Sequence, residues 1–391
     1  MITIERKEEC SGCEACKNVC PKHCIIMLGD NEGFKYPKVD SKKCIDCGMC
    51  ERVCPIKNRD KLKVSDKKIY AVKNKNKSIR SSSSSGGVFY EIASWVILNG
   101  GIVFGCIMNE GLKAVHVGIE KCEDIGKLQS SKYVQSDISD SFVDVKKNLL
   151  TGRLVLFSGT PCQVTGLKNF LGKEYENLIL IDVLCHGVPS PQLLSDYIHL
   201  MEQKYNGRAV SINFRNKKKG WKRLYIEICF DNGKRHFVFS GYDKYMSMFL
   251  NNMSLRPSCY ECKFTNDKRS GDITLGDFWG IGKTYPHYDD DKGISLVMVN
   301  NDRGIELFNK LKDKFDLFES SFDLASAGQR TLSMPTAKNK NRDAFYREYE
   351  KNGLKAAFDK YVPIASKPVQ LYYAIMRFGL DVVRKILGKG Y

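Results

Sequence analysis

Along the middle of the chain, short apolar runs alternate with stretches in which apolar residues recur every three or four positions, and the two patterns predict different elements. Leu154 to Phe157 reads as a buried strand, and after the turn SGTPC, Val164 to Leu171 continues as a helix. Ile179 to Leu184 is a second strand, and CHGVPSP leads into a helix from Gln192 to Met201. Upstream, Phe89, Ile92, Ala93, Val96 and Ile97 recur at helical spacing, with strand-like runs at 102–108 and 114–119 behind them. GISLVMVN at 293–300 supplies a later strand. Strands alternating with helices predict a parallel sheet with crossovers, hence an α/β body whose ligands bind beyond the carboxyl ends of the strands. From Arg223 to Phe239 two strand-like runs flank Asp231, Asn232 and Gly233, a hairpin signal that reads as an antiparallel addition to the sheet. Residues 330–391 read as mostly helical.

Length and charge change the picture in two ways. At 391 residues the chain is long enough for two or three domains. Its net charge is +17, and ten Lys and Arg stand against two Asp between Lys57 and Arg80. That segment reads as a solvated basic linker. A basic surface attracts phosphate without sequence preference, but no DNA- or RNA-binding motif accompanies the charge, so nucleic acid is set aside as a partner. An acidic redox partner such as ferredoxin or flavodoxin, steered to a basic face, accounts for the same charge; a plain solvated surface is the other reading. The start, MITIERKEEC, lacks the apolar core of a signal peptide, which sets the sixteen cysteines in a reducing cytosol and predicts a cytoplasmic protein. No run approaches the ~18 apolar residues of a membrane span. The stretch from Leu371 to Leu387 is amphipathic, with Arg377, Arg384 and Lys385 among apolar residues, and fits either contact with an anionic membrane surface or packing on the body.

The cysteines carry the chemistry. CSGCEACKNVCP from Cys10 and CIDCGMCERVCP from Cys44 repeat the spacing C-x2-C-x2-C-x3-C-P. Three cysteines two residues apart on a tight loop reach three corners of a 4Fe-4S cube, and in the two-cluster ferredoxin arrangement the last cysteine of each run serves the other cube. That arrangement assigns Cys10, Cys13, Cys16 and Cys54 to one cluster and Cys44, Cys47, Cys50 and Cys20 to the other. Structural zinc, held by paired C-x2-C arms, is the competing use of such cysteines. Residues 1–57 resemble a bacterial two-cluster ferredoxin, an α+β fold, along their whole length.

Eight cysteines remain. Cys162 and Cys185 fall at predicted strand ends, and Cys259 with Cys262 forms a C-x2-C arm, so three loops could meet on four thiolates; half a zinc site or a redox pair is the alternative for the arm alone. Cys24, Cys106, Cys122 and Cys229 lie in apolar runs or alone and read as inert core thiols. The run Ser81 to Ser85 with Gly86 and Gly87 sits where the following helix would be capped, and free amides there would also suit an anion such as a pyrophosphate. His186, in CHG, could relay a proton or simply cap its turn.

SKY at 131–133, GTPCQ at 159–163, CHG at 185–187, C-x2-C-x-F at 259–264, DITLGDFWG at 272–280 and GISLVMVN together resemble the beta subunit of coenzyme F420 hydrogenase/dehydrogenase, a family related to 7-hydroxymethyl chlorophyll a reductase. The resemblance runs from about Ser81 to Asn300. It implies an iron-sulfur flavoprotein in which Cys162, Cys185, Cys259 and Cys262 hold a third 4Fe-4S cluster beside FAD. It implies flavin contacts at Ser85, Gly86, Gly87, Ser131, Lys132, Tyr133, Thr160 and Gly276, and names no catalytic residue. The tail, with NRDAFYREYEKNG at 341–353, resembles a bacterial branch associated with surface-polysaccharide loci.

The expected organisation is a ferredoxin unit at 1–57, a basic linker at 58–80, a mixed-sheet α/β domain for flavin and iron-sulfur at 81–329, and a helical basic tail at 330–391. The expected function is an oxidoreductase passing electrons between a one-electron carrier and an unidentified two-electron small molecule. Two rivals stand beside it: an oxidoreductase of the deazaflavin coenzyme F420 itself, and an electron-transfer subunit with no turnover of its own.

Overall fold

The computed structural model describes residues 1–58 and 67–366, with 368–370, 372 and 376. Lys61 and Lys63 of the basic stretch, and most of the amphipathic stretch from Leu371, lie outside these.

The strands in chain order are β1 (Ile25–Gly29), β2 (Lys35–Val39), β3 (Lys68–Asn74), β4 (Ile102–Met108), β5 (Ala114–Ile119), β6 (Val155–Gly159), β7 (Leu178–Val183), β8 (Ala209–Asn216), β9 (Tyr225–Phe230), β10 (Arg235–Phe239), β11 (Ile273–Asp277), β12 (Ser295–Val299) and β13 (Phe315–Ser320). Eight of them form one sheet in the order β13-β3-β12-β11-β7-β6-β4-β5. Its centre, β11-β7-β6-β4, is parallel, and antiparallel strands complete both sides. The fold is therefore mixed α/β. The central strands are apolar runs because helices cover both their faces. Val88–Leu98 and Asp302–Leu311 pack over Tyr70, Val103, Leu156 and Val297, while Ser141–Leu150 and Pro161–Leu171 pack over Phe104, Phe157 and Leu180.

A linker over 58–80 does not describe residues 68–80. β3 lies inside the sheet, pairing Val72 with Ser295 on one side and with Leu317 on the other, and Lys77–Ser82 is a helix. The apolar core of β3 is only IYAV, and the lysines around it mask the pattern; Lys73 lies 3.6 Å from the Tyr288 ring centroid and pairs with Asp316 at 3.0 Å. The hairpin also departs from expectation. β9 and β10 join β8 in a separate three-stranded sheet and add nothing to the large one. Phe214, Ile226, Ile228 and Phe230 find their cover in the helices Pro191–Tyr205 and Lys244–Leu250. Two helical segments within Arg342–Tyr361, broken at Gly353 (φ 79°), close the same cluster with Phe345, Leu354 and Phe358, and Arg342 ties them to Glu32 through two hydrogen bonds of 2.9 and 2.6 Å.

The N-terminal unit holds the hairpin β1-β2 and two short helices, Ala15–Val19 and Met49–Arg52, each entered through a left-handed residue, Glu14 (φ 61°) or Gly48 (φ 69°). It packs directly on the α/β body. Cys13, Ala15 and Val53 share a core with Val164 and Leu167, and a Cβ on Gly166 would lie 3.1 Å from the Cys13 sulfur. Among the described residues no helix is long and apolar enough to cross a membrane.

Candidate functional site

The loops of the N-terminal unit gather its cysteines in two groups. Burial raises the Cys13, Cys16 and Cys54 thiols; Cys16 and Cys54 feel Cys10, and both Cys13 and Cys16 feel Cys54, so these four share one neighbourhood. Cys20, Cys44, Cys47 and Cys50 line one hollow near the surface, where Cys47 is exposed. Cys24 lines it too. Its sulfur is 3.3 Å from that of Cys20, so the thiol read as inert sits against the second group. Among the described residues no three His, Cys, Asp or Glu close on a single-ion site. Four thiols gathered on tight loops are the ligand type a 4Fe-4S cube takes.

A cavity of about 660 Å³ opens beyond the carboxyl ends of β4, β6, β7 and β11. That is where a sheet of this topology places ligands. Cys162, Cys185, Cys259 and Cys262 all line it. Burial lifts the Cys185 thiol well above its usual range, reinforced by Cys259, Cys162 and Cys262, so the three loops do bring the four cysteines together. Each loop is held from behind. Thr160 caps the helix Pro161–Leu171 in a capping box with Gln163, fixing Cys162 in its first turn. The loop after Cys185 is clamped by the Arg256 backbone N–H, which donates to the Val188 carbonyl at 2.9 Å. Gly187, at φ 131°, leaves room for Leu255 and Cys259, since a Cβ there would stand 2.7 Å from Leu255 Cδ1 and 3.2 Å from the Cys259 Cβ. Cys13 feels Cys162, and Ser11 and Ile56 border the cavity, so the first N-terminal group adjoins it.

Of the residues expected around a flavin, Ser85, Gly87, Ser131, Lys132, Tyr133, Thr160 and Gly276 line this cavity. The serine loop is tied down: Ser84 Oγ accepts from the Ser131 amide at 2.8 Å, Ser83 Oγ from Gln129 at 2.7 Å, and Ser85 Oγ donates to the Ile294 carbonyl at 2.7 Å. Ser81 and Ser82 instead end the preceding helix, and Val88–Leu98 starts from Gly87 with no side-chain cap. Lys132 donates to the carbonyls of Lys127, Leu128 and Gln129, and burial pulls its pKa down to about 8. Tyr133 stacks on Phe249 at 4.6 Å. His186 is held in the wall by a 2.7 Å bond to Asn252, and burial lowers its pKa.

Gly86 is the departure. It is absent from the lining, and a Cβ there would lie 2.1 Å from the Val72 carbonyl oxygen and 2.7 Å from the Ser295 amide. Its lack of a side chain serves packing on the sheet. Gly86→Ala is therefore expected to lower the melting temperature and the soluble yield of the whole protein. Wild-type stability with weakened flavin retention would contradict this placement.

Sequence reasoning missed several wall residues. Buried His116 bonds the Ser158 carbonyl through Nε2 at 3.1 Å, while its Nδ1 has no partner and burial lowers its pKa to about 4. Arg215, from β8, pairs with Asp277 at the end of β11 and lies 5.3 Å from the Trp279 ring centroid; Trp279 stacks on Trp221 at 4.5 Å. Trp221 Nε1 donates to Asp277 at 2.7 Å. The only hint was the string GDFWG, since partners 62 residues apart leave no local pattern.

Residues 152–323 match the family described as the C terminus of the coenzyme F420 hydrogenase/dehydrogenase beta subunit, and residues 9–58 match the 4Fe-4S dicluster domain. One component of the F(420)H(2) dehydrogenase of Methanosarcina mazei is 23% identical over 330 residues, covering 79% of this chain and 89% of that protein. An uncharacterized ferredoxin of Methanocaldococcus jannaschii is 41% identical over 54 residues, 14% of this chain and 68% of that one. A chain of the F420-reducing NiFe hydrogenase complex from Methanosarcina barkeri, solved as a xenon derivative, aligns over 76% of this chain and 91% of its own with a TM-score of 0.43 and 14% identity. Behind an N-terminal 4Fe-4S dicluster domain, the chain carries over residues 152–323 a segment matching the C terminus of the coenzyme F420 hydrogenase/dehydrogenase beta subunit. It is thus an iron-sulfur protein related to electron-transfer subunits of oxidoreductases.

Proposed function

We propose that this protein is a cytoplasmic iron-sulfur flavoprotein that exchanges electrons between an acidic one-electron carrier and a two-electron small molecule. Cys10, Cys13, Cys16 and Cys54 would hold one 4Fe-4S cluster, Cys44, Cys47, Cys50 and Cys20 a second, and Cys162, Cys185, Cys259 and Cys262 a third. FAD would occupy the cavity against Ser85, Gly87, Ser131, Tyr133, Thr160 and Gly276. When bound, the clusters carry electrons singly and the flavin in pairs.

The observation that carries this reading is the shared wall: four cysteines from three loops line the same 660 Å³ cavity as the tethered serine loop. The cavity has donors and acceptors for a polar cofactor. Buried Arg215 Nε is an unfilled donor and His116 Nδ1 an unfilled acceptor. Neutral at physiological pH, His116 would accept an N–H and carry no charge into the site. Trp279, Leu275 and Phe249 supply apolar surface that limits water.

Lys67 is a poor candidate for the carrier's docking face, since it pairs with Asp267 at 3.5 Å; Lys68, at the start of β3, is exposed. Exposed Cys47, with Lys42 and Lys43 close by in the chain, gives a more direct approach.

A second reading draws on the relatives' names: the two-electron partner would be coenzyme F420, and the chain would work as one component of a larger complex. A role in surface-polysaccharide metabolism belongs to the first reading.

Composition tests the proposal. Protein purified without oxygen should contain about twelve iron and twelve sulfide per chain, four of each for every cube, and release about one FAD on heating. Eight of each would remove the third cluster, and failure to take up added FAD would leave an iron-sulfur protein that only transfers electrons. Reduction of F420 by the pure chain would favour the second reading.

A further inference from the structure

Arg256 is fully buried, and its side chain crosses from the α/β body to the N-terminal unit. It precedes the helix Pro257–Tyr260 that carries Cys259, and its backbone is fixed to the loop after Cys185. Nε donates to the Cys10 carbonyl at 2.6 Å, and Nη2 lies 3.4 Å from the Cys10 sulfur and 2.9 Å from the Lys35 carbonyl. Nη1 donates to Gln135 Oε1 at 3.0 Å, and Gln135 in turn donates to the Ser11 and Gly12 carbonyls. The guanidinium carbon stands 4.3 Å from the Tyr36 ring centroid and 5.4 Å from that of Phe34. Gly12, at φ 68°, has no space for a side chain, because a Cβ would meet Gln135 at 2.3 Å and Arg256 at 2.8 Å.

The charge is what these contacts leave unanswered. The acceptors are carbonyls, an amide oxygen and a sulfur; no carboxylate pairs with the guanidinium among these bonds. A buried cation without an anion is costly. Asp30 and Glu32, which share its Tyr36 neighbour, are already paired with Lys7 and Arg342, and the anions left to it are thiolates. Arg256 touches Cys10 on one side and acts electrostatically on Cys162 and Cys259 on the other. A cluster bound by thiolates is negative, and hydrogen bonds and positive charge near its sulfurs favour its reduced form.

We propose that Arg256 is a shared counter-charge, a positioning residue that raises the reduction potential of the cluster on Cys10, Cys13, Cys16 and Cys54 and, more weakly, of the one on Cys162, Cys185, Cys259 and Cys262. This rests on the ligand sets proposed above. It places the cation at the junction of the two groups.

The test is a redox titration of the full-length protein, followed by electron paramagnetic resonance, for the parent, Arg256→Gln and Arg256→Lys. At iron content equal to the parent's, Arg256→Gln should shift the reduction equilibrium of the first cluster at least tenfold toward the oxidised form, about 59 mV for one electron. The cluster on Cys20, Cys44, Cys47 and Cys50 should not move, and Arg256→Lys should fall between. An unmoved first cluster in iron-replete Arg256→Gln would overturn the proposal. Should that variant lose iron, the uncharged Arg256→Met decides in its place: a lowered first-cluster potential supports the proposal and an unchanged one overturns it. A parent with eight irons would instead remove the third cluster while leaving the first-cluster shift readable.

Discussion

Cys185→Ser, purified without oxygen, is expected to lose about four of twelve irons and to transfer electrons to an acceptor at least 100-fold more slowly, with both N-terminal clusters spectroscopically intact. Cys185 sits just beyond the end of β7, where burial and three neighbouring cysteines all raise its thiol. Such a cluster of thiols is unfavourable as thiolates unless positive metal holds them, so one alcohol in the set weakens the whole. The N-terminal groups stand on other loops and should be spared. Cys229→Ser is the control: Cys229 lies in β9, within the separate three-stranded sheet and outside the cavity wall. Loss of iron in the Cys229 variant, or full iron and normal rates in Cys185→Ser, would defeat the assignment of the third set.

What could be read from sequence divides by range. The eight N-terminal cysteines were legible because a ligand loop writes its spacing locally, and the parallel centre was legible because β6 and β7, covered on both faces, appear as unbroken apolar runs. Their strand ends also located Cys162 and Cys185 at the cavity. β3 was hidden because four apolar residues between lysines look like a charged linker until their pairing to β12 and β13 is known. Gly86 showed the limit of reading a glycine from its neighbours: the serine run suggested a phosphate turn, and the constraint is the backbone of Val72 and Ser295. His116, Arg215 and Arg256 act through partners scores of residues away, so nothing adjacent in the chain marks them.

The largest effect on stability is expected at Asp182, which links the sheet to the loop after Cys262. Asp182 lies inside β7, fully buried, and accepts from Arg269 Nε at 3.1 Å, Arg269 Nη2 at 2.8 Å and the Gly271 amide at 3.0 Å. Arg269 is buried too and also donates to the carbonyls of Phe264 and Val183. These bonds pin residues 264–271 to β7, and with them the arm bearing Cys259 and Cys262. In Asp182→Asn the guanidinium loses the carboxylate it pairs with, and one amide N–H2 must face another donor. Removing one partner of a buried ion pair costs about 3–5 kcal/mol. We expect that loss in anaerobic urea unfolding, together with loss of iron from the cavity set before the N-terminal sets. Adding Arg269→Met should recover part of the stability, because the uncompensated charge is gone even though the carbonyls it served remain unfilled. A single variant as stable as the parent, or a double variant worse than the single by the full cost of a second lesion, would show that the pair is not what holds this arm.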